Sequence, residues 1–200
     1  MKGGVSLGGA HQAEVTLRKM GATPLLWTRI AESAGLARKV VALVFNHSED
    51  YIVRVDCTKT LAEMVAAGNY DSVAPNIRVD NFPVKGTGVT DVCIVLFCFG
   101  KEVTTKWVEG EMRSLGYRQA RIEELLTLGA AKPLLQMKSP IIALGSRSPK
   151  LLSAECNGDF DTYVPVLGSL KDKRRVSIQP YNMVWDENCS FAAVRMQKLI

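Results

Sequence analysis

A side-chain nucleophile needs a base within hydrogen-bond reach and a third group to orient that base. The chain has 200 residues, with cysteines at positions 57, 93, 98, 156 and 189 and histidines at positions 11 and 47. Only Cys189, close after Trp185 in a polar stretch, invites a nucleophilic reading. No histidine stands near it in sequence, and buried packing is the default for such a cysteine. The five cysteines are odd in number and form no C-x-x-C pair, which points to neither a disulfide framework nor a zinc site. His11 and His47 lack an H-E-x-x-H context, so no metal ligands are assigned.

The acidic residues also read as structural. Glu123 and Glu124 open a predicted helix, where carboxylates complement the positive end of the helix dipole. Asp159, Asp161, Asp172 and Asp186 lie in loops without EF-hand spacing and read as solvated acids. Gly86-x-Gly88 lacks a third glycine and precedes a strand, the reverse of a dinucleotide loop. The reading leans away from an enzyme and assigns no cofactor.

Binding chemistry is concentrated elsewhere. Residues 1–48 hold six basic against two acidic groups, a net +4, and the remaining 152 hold 19 against 18, which together give the formal +5. The basic pI of about 9 therefore belongs mainly to the N-terminal quarter. Helices are expected there over residues 10–20, from Pro24 to about Ser33, and from Leu36 to Phe45. Ile30-Ala31-Glu32-Ser33-Ala34-Gly35-Leu36 resembles a helix-turn-helix centre, which would bring Arg38 and Lys39 to phosphates or base edges of DNA. The competing reading is a helical dimerisation or docking element, with Trp27 as an aromatic core residue or interface anchor, which allows a homo-oligomer. Lys171-Asp172-Lys173-Arg174-Arg175, the compact basic run, reads either as a contact to phosphate or an acidic partner or as a solvated hairpin turn.

The elements that must position these groups follow from periodicity. Tyr51–Val55 is a predicted strand. Thr60 and Glu63 have the spacing of a capping box for a helix that Gly68 ends. Residues 69–88 are rich in turn formers and leave room for one short strand. Val89–Phe99 is the clearest strand, apolar on both faces, with Val89, Cys93, Val95, Phe97 and Phe99 on one side and Val92, Ile94, Leu96 and Cys98 on the other. Such a strand belongs in the middle of a covered sheet, with both of its cysteines buried and, five residues apart, pointing to opposite faces so that they do not pair.

Thr104 or Thr105 caps a helix through about Leu115 with a stripe of Trp107, Val108, Met112 and Leu115. A second helix spans Arg121 to Leu128, with Ile122, Leu125 and Leu126 inward and Gly129 as its stop. Residues from Pro133 on are irregular until a buried strand at Pro140–Ser146. Short strands are expected at Tyr163–Leu167, Val176–Ile178 and Phe191–Arg195. Helices early and strands late indicate an α+β fold.

Tyr70-Asp71-Ser72, Asn81-Phe82-Pro83, Leu115-Gly116-Tyr117-Arg118 with Glu124-Leu125-Leu126-Thr127-Leu128-Gly129, Pro140-Ile141-Ile142-Ala143-Leu144-Gly145-Ser146, and Trp185 with Cys189 and Phe191-Ala192-Ala193-Val194-Arg195 together resemble a widespread family of uncharacterised bacterial proteins. The resemblance covers about residues 50–195 and implies no activity. The same layout is distantly similar to C-type-lectin-like domains of the formylglycine-generating type and to the variable proteins of diversity-generating retroelements. That similarity implies a mixed domain with two helices packed on short antiparallel strands and late loops that form a ligand surface. The implied surface is Tyr181, Asn182, Trp185, Asp186, Glu187 and Asn188, polar and aromatic types that suit adaptable contacts. The sequence departs from the pattern at Gln119-Ala120-Arg121, where the second helix lacks its usual threonine cap, and at Ser190, which stands in place of an arginine.

The chain thus divides into a helical N-terminal appendage, 1–48, and an α+β lectin-like domain, 49–200. The longest mostly apolar run, Val92–Phe99, is far short of the roughly 18 residues of a membrane span, and residues 1–12 have no apolar leader core. A cytoplasmic protein without a membrane partner is expected. The leading functional reading is a non-enzymatic module that binds a protein or small polar ligand through loops at about 179–189. The alternative is a DNA-binding regulator that uses Arg38 and Lys39.

Overall fold

The computed structural model describes residues 23–33, 50–149 and 162–196. The chain divides into two units, 1–44 and 45–200, and each is taken by itself. In the first, helix α1 spans Pro24–Glu32. Thr23 precedes it in extended backbone without a side-chain cap, and proline fills the first helical position, where a missing N–H costs nothing. The helices expected over 10–20 and 36–45, with Arg38 and Lys39, lie outside the described residues.

The second unit is mixed α+β. A nine-stranded sheet runs in the order β1 (Tyr51–Asp56), β3 (Val89–Cys98), β11 (Ser190–Arg195), β6 (Ile141–Ile142), β8 (Thr162–Leu170), β9 (Lys173–Pro180), β2 (Ser72–Val73). β5 (Tyr117–Gln119) joins beside β11 and β7 (Ser148–Pro149) beside β8. All pairings are antiparallel except β11 with β6 and β2 with β9. A separate two-stranded ladder joins β4 (Val103–Thr104) to β10 (Val184–Trp185). The strands are not uniformly short. β8 and β9 form a long hairpin closed by Lys171 and Asp172, whose φ values of 49° and 59° match the two left-handed positions of a type I′ turn.

The alternation read from β3 is observed. Ile94 and Leu96 join one core with Val92 against it, and Val95 and Phe97 join a second core with Cys93 and Phe99 against it. Helices α2 (Leu61–Ala67) and α4 (Ile122–Ala131) supply Leu61, Met64, Ile122, Leu125, Leu126 and Leu128 to the first. Helix α3 (Thr105–Ser114) supplies Val108 and Met112 to the second. The sheet is therefore covered on both faces, as a doubly apolar strand requires. The N-terminal half of β3 emerges from this cover, and Val89 is exposed.

Local chemistry explains the helix boundaries. At α2, the Thr60 hydroxyl accepts from Glu63 N at 3.2 Å while the Glu63 carboxylate accepts from Thr60 N at 2.7 Å, the expected capping box. The Thr104 hydroxyl caps α3 by accepting from Trp107 N. The missing threonine cap of α4 is replaced from a distance: Ser146 Oγ accepts from Ile122 N at 2.8 Å, and Glu124 Oε2 accepts from Arg121 N at 2.7 Å. Arg118 grips the same Glu124 carboxylate with both terminal nitrogens, at 2.9 and 2.5 Å. Burial of Glu124 at the helix start is thus compensated by a bidentate cation and a backbone N–H. Glu123 is buried too, with Oε1 3.8 Å from Arg121 Nη1 and with Oε2 lacking a hydrogen-bond partner among the described residues.

Several expectations are corrected. Gly129 does not stop α4 but sits inside it, where a Cβ would fall 2.3 Å from the Tyr70 hydroxyl. Trp107 is 37% exposed and packs edge-on against Phe99 under the Lys101 ammonium instead of entering the core. Cys98 is exposed and Cys93 half-buried, because β3 reaches past the covered centre of the sheet at both ends. Within 140–146 only Ile141–Ile142 is strand, although residues 141–144 are all buried. The stretch after Pro133 contains a short helix, α5 (Leu135–Lys138). Gly145 follows at a close approach, where a Cβ would meet Ala120 O at 2.6 Å.

The basic run at the β8–β9 turn is partly internal. The Arg174 guanidinium donates to the carbonyls of Gly68 and Gly129, each at 2.6 Å, and to Gln136 Oε1 at 3.1 Å, while lying 4.7 Å over the Tyr70 ring. Arg174 is therefore a cross-brace between α2, α4 and β9, not a free cation.

Candidate functional site

The late loop begins where β9 ends and closes where β11 begins. Its anchor is Trp185, 2% exposed and packed edge-on against Phe191 at 5.8 Å between ring centres. A buried indole needs a partner for its N–H. Trp185 Nε1 donates to Thr105 Oγ1 at 2.7 Å, and the Thr105 hydroxyl donates in turn to the Tyr181 carbonyl. Both ends of the turn 181–185 are thereby tied to the first turn of α3. The β4–β10 ladder adds Val184↔Thr104 and Trp185↔Val103.

Trp185 is accordingly no part of a ligand face. The aromatic residue nearest that role is Tyr181, half-buried, with the Arg147 guanidinium 4.2 Å over its ring. Arg147 also pairs with Glu109. Burial and a hydrogen bond with Glu109 push the Tyr181 hydroxyl above its ordinary pKa, opposed by the charge of Arg147. Sequence reasoning missed Arg147 and Glu109, which lie 38 positions apart and meet only through the tertiary fold.

Asn182, Asp186, Glu187 and Asn188 are exposed. Asp186 organises the second turn, its Oδ1 accepting from Asn188 N at 2.9 Å and from Asn188 Nδ2 at 2.7 Å. The Glu187 carbonyl accepts a weak bond from the Cys98 thiol at 3.5 Å. Cys189 closes the loop, its N–H donating to Asp186 O at 3.0 Å. It is buried, and that burial pushes its thiol pKa up, contrary to the needs of a nucleophile. The arrangement thus presents two amides and two carboxylates on turns with a fixed base, a set able to donate and accept hydrogen bonds. Ser190 is buried with its hydroxyl 2.9 Å from that of Ser139.

No family model, curated protein or solved structure matches the chain. Among the described residues, no helix is long and apolar enough to cross a membrane. No group of three or more His, Cys, Asp or Glu among them is placed to hold a metal ion.

Proposed function

We propose that residues 49–200 form a non-enzymatic binding module that presents its late loops to a protein or a small polar ligand. The reading includes a C-type-lectin-like scaffold and membership of the bacterial family that the sequence motifs resemble. It is carried by the Trp185–Thr105–Tyr181 relay, which fixes the ends of an otherwise exposed polar turn. Such fixing lowers the ordering cost of binding. The face consists of Tyr181, Asn182, Asp186, Glu187 and Asn188, without Trp185.

The test is an array of immobilised neutral and acidic oligosaccharides, probed with the full chain and with Asn182→Ala/Asn188→Ala. Retention by the native chain on at least one sugar, lost in the double variant with unchanged thermal unfolding, supports the reading. Equal retention of both proteins, or none by either, removes the loop as a sugar-binding surface. The alternative function, DNA binding through Arg38 and Lys39, is favoured by the net +4 of residues 1–48. It requires a duplex mobility shift at low salt that weakens in Arg38→Ala/Lys39→Ala and falls steeply as salt rises. The absence of any shift at low salt would dispose of it.

A further inference from the structure

β1 is the first strand of the sheet, and among the described residues nothing pairs with its outer edge. The direction of its backbone groups follows from the ladder. Cys57 N donates to Gly88 O at 2.8 Å, in the same register that sets Tyr51 opposite Ile94 and Asp56 opposite Val89. Hydrogen-bonded pairs alternate along an antiparallel ladder, so Tyr51, Val53, Val55 and Cys57 face β3 while Ile52 and Arg54 aim N–H and C=O outward. The pairing is continuous over all six residues, with no bulge and no proline to blunt the edge.

A cavity of about 400 Å³ lies against this edge. Met64, Ala67, Ala130 and Ala131 make it apolar, and Arg54 and Lys59, both exposed, bring two cations to it. Asp56 also lines it as a carboxylate, its Oδ1 accepting from the N–H and hydroxyl of Thr58 at 3.1 and 2.6 Å, so the cations of the lining exceed the anions by one. Outward main-chain donors, an apolar hollow bounded by helices α2 and α4, and cations beside it are the parts of a strand-addition groove.

We propose that this groove takes an extended acidic peptide segment of a partner protein as an added strand beside β1. The peptide main chain pairs with Ile52 and Arg54, one aliphatic side chain enters the hollow, and a carboxylate meets Arg54 or Lys59. A second copy of the chain is the poorer occupant, since its Asp56 can face Arg54 in only one antiparallel register, whereas a peptide of alternating carboxylates meets the cations in any register. The proposal uses no residue of the late loops and stands apart from the function assigned to them.

The probe is an end-blocked peptide of alternating valine and glutamate, titrated into the isotopically labelled full chain and followed by amide and methyl resonances. Its controls are the same peptide with lysine for glutamate and one N-methylated at alternate residues. The amides of Ile52 and Arg54 should shift and gain protection from exchange, together with the methyls of Met64 and Ala131. N-methylation should weaken binding by about tenfold or more, through lost main-chain hydrogen bonds. The lysine peptide should bind more weakly than the acidic one. Ile52→Pro removes an outward donor without touching a β1–β3 bond and should abolish binding. Ala131→Met fills the hollow and should weaken binding while the β1 amides of the free protein keep their native exchange. Absence of shifts at Ile52 and Arg54, or equal affinity for the N-methylated peptide, overturns the proposal. So does self-association of the chain that Ile52→Pro abolishes, since the occupant is then a second copy.

Discussion

The two faces of the sheet are filled by different chemistry. Under α2 and α4 the core is chiefly aliphatic, built from Val53, Val55, Ile94, Leu96, Leu125 and Leu126. Toward α3 aromatic rings join the aliphatic residues: Phe97 meets Tyr117 edge-on at 5.2 Å, and Phe99 packs against Phe191 at 5.9 Å. The aliphatic face is closed by two helices whose first turns are capped, by Thr60 and Glu63 in α2 and by Ser146 and Glu124 in α4. The aromatic face is closed by α3 together with the late turns, through Trp185 and Cys189. The loop surface is continuous with a core: its inner residues, Trp185 and Cys189, are packing residues, and its outer polar ones are left to serve a ligand.

Five variants sharpen or break this contrast. The largest effect should come from Trp185→Ala, which removes the ring packed on Phe191 and the N–H donated to Thr105; large-to-small changes of this kind cost about 3–5 kcal/mol. Leu125→Ala on the aliphatic face should cost about 2–5 kcal/mol. Urea unfolding measures both, and a loss below about 0.5 kcal/mol for Trp185→Ala would return that residue to the surface.

The next effect is pH-dependent and belongs to the aliphatic face. Burial pushes the Tyr70 hydroxyl from 10 up to about 12, opposed by the charge of Arg174. The folded state therefore holds this proton more tightly than the unfolded chain. The associated stability, about 2–3 kcal/mol, is fully present below pH 10 and is lost as pH rises toward 12. Tyr70→Phe should flatten the fall in unfolding free energy over that window; an unchanged slope would mean that Tyr70 titrates normally.

Smaller again is Ser146→Ala, which leaves the Ile122 N–H without its cap and should cost about 1 kcal/mol in thermal unfolding. The smallest is Asn182→Ala/Asn188→Ala, within about 0.5 kcal/mol in the same measurement because both side chains are exposed. A large loss there would show that the outer turn residues also belong to the core.

Local signals carried well. The Thr60–Glu63 box, the Thr104 cap, the alternation along β3 and the strand at β11 all rest on contacts within a few residues or on simple periodicity. What failed depends on distant partners. Nothing near Gly129 in sequence indicates that the Tyr70 ring and its brace, Arg174, press against that helix. Ser146 lies 24 residues beyond the amide it caps, so α4 looked uncapped. Trp185 and Trp107 carry similar sequence credentials, and only the tertiary fold decides that one is anchored by Thr105 and the other left on the rim. The site was legible as a polar segment and not as a geometry, because Arg147 and Glu109 reach Tyr181 from two separate elements.

The position of β11 also sets an order of events. The strand closes against β3 with Phe191 opposite Phe97, and on its other side it holds both β6 and β5. Until residues 190–195 arrive, the growing chain has a raw edge on β3, two short strands with no central partner, and an aromatic core lacking Phe191. Folding must then span a loop of some ninety residues in one closing step, so the native sheet should form late and cooperatively. Chains cut before Ser190 would leave the β3 edge unpaired and so be the aggregation-exposed species.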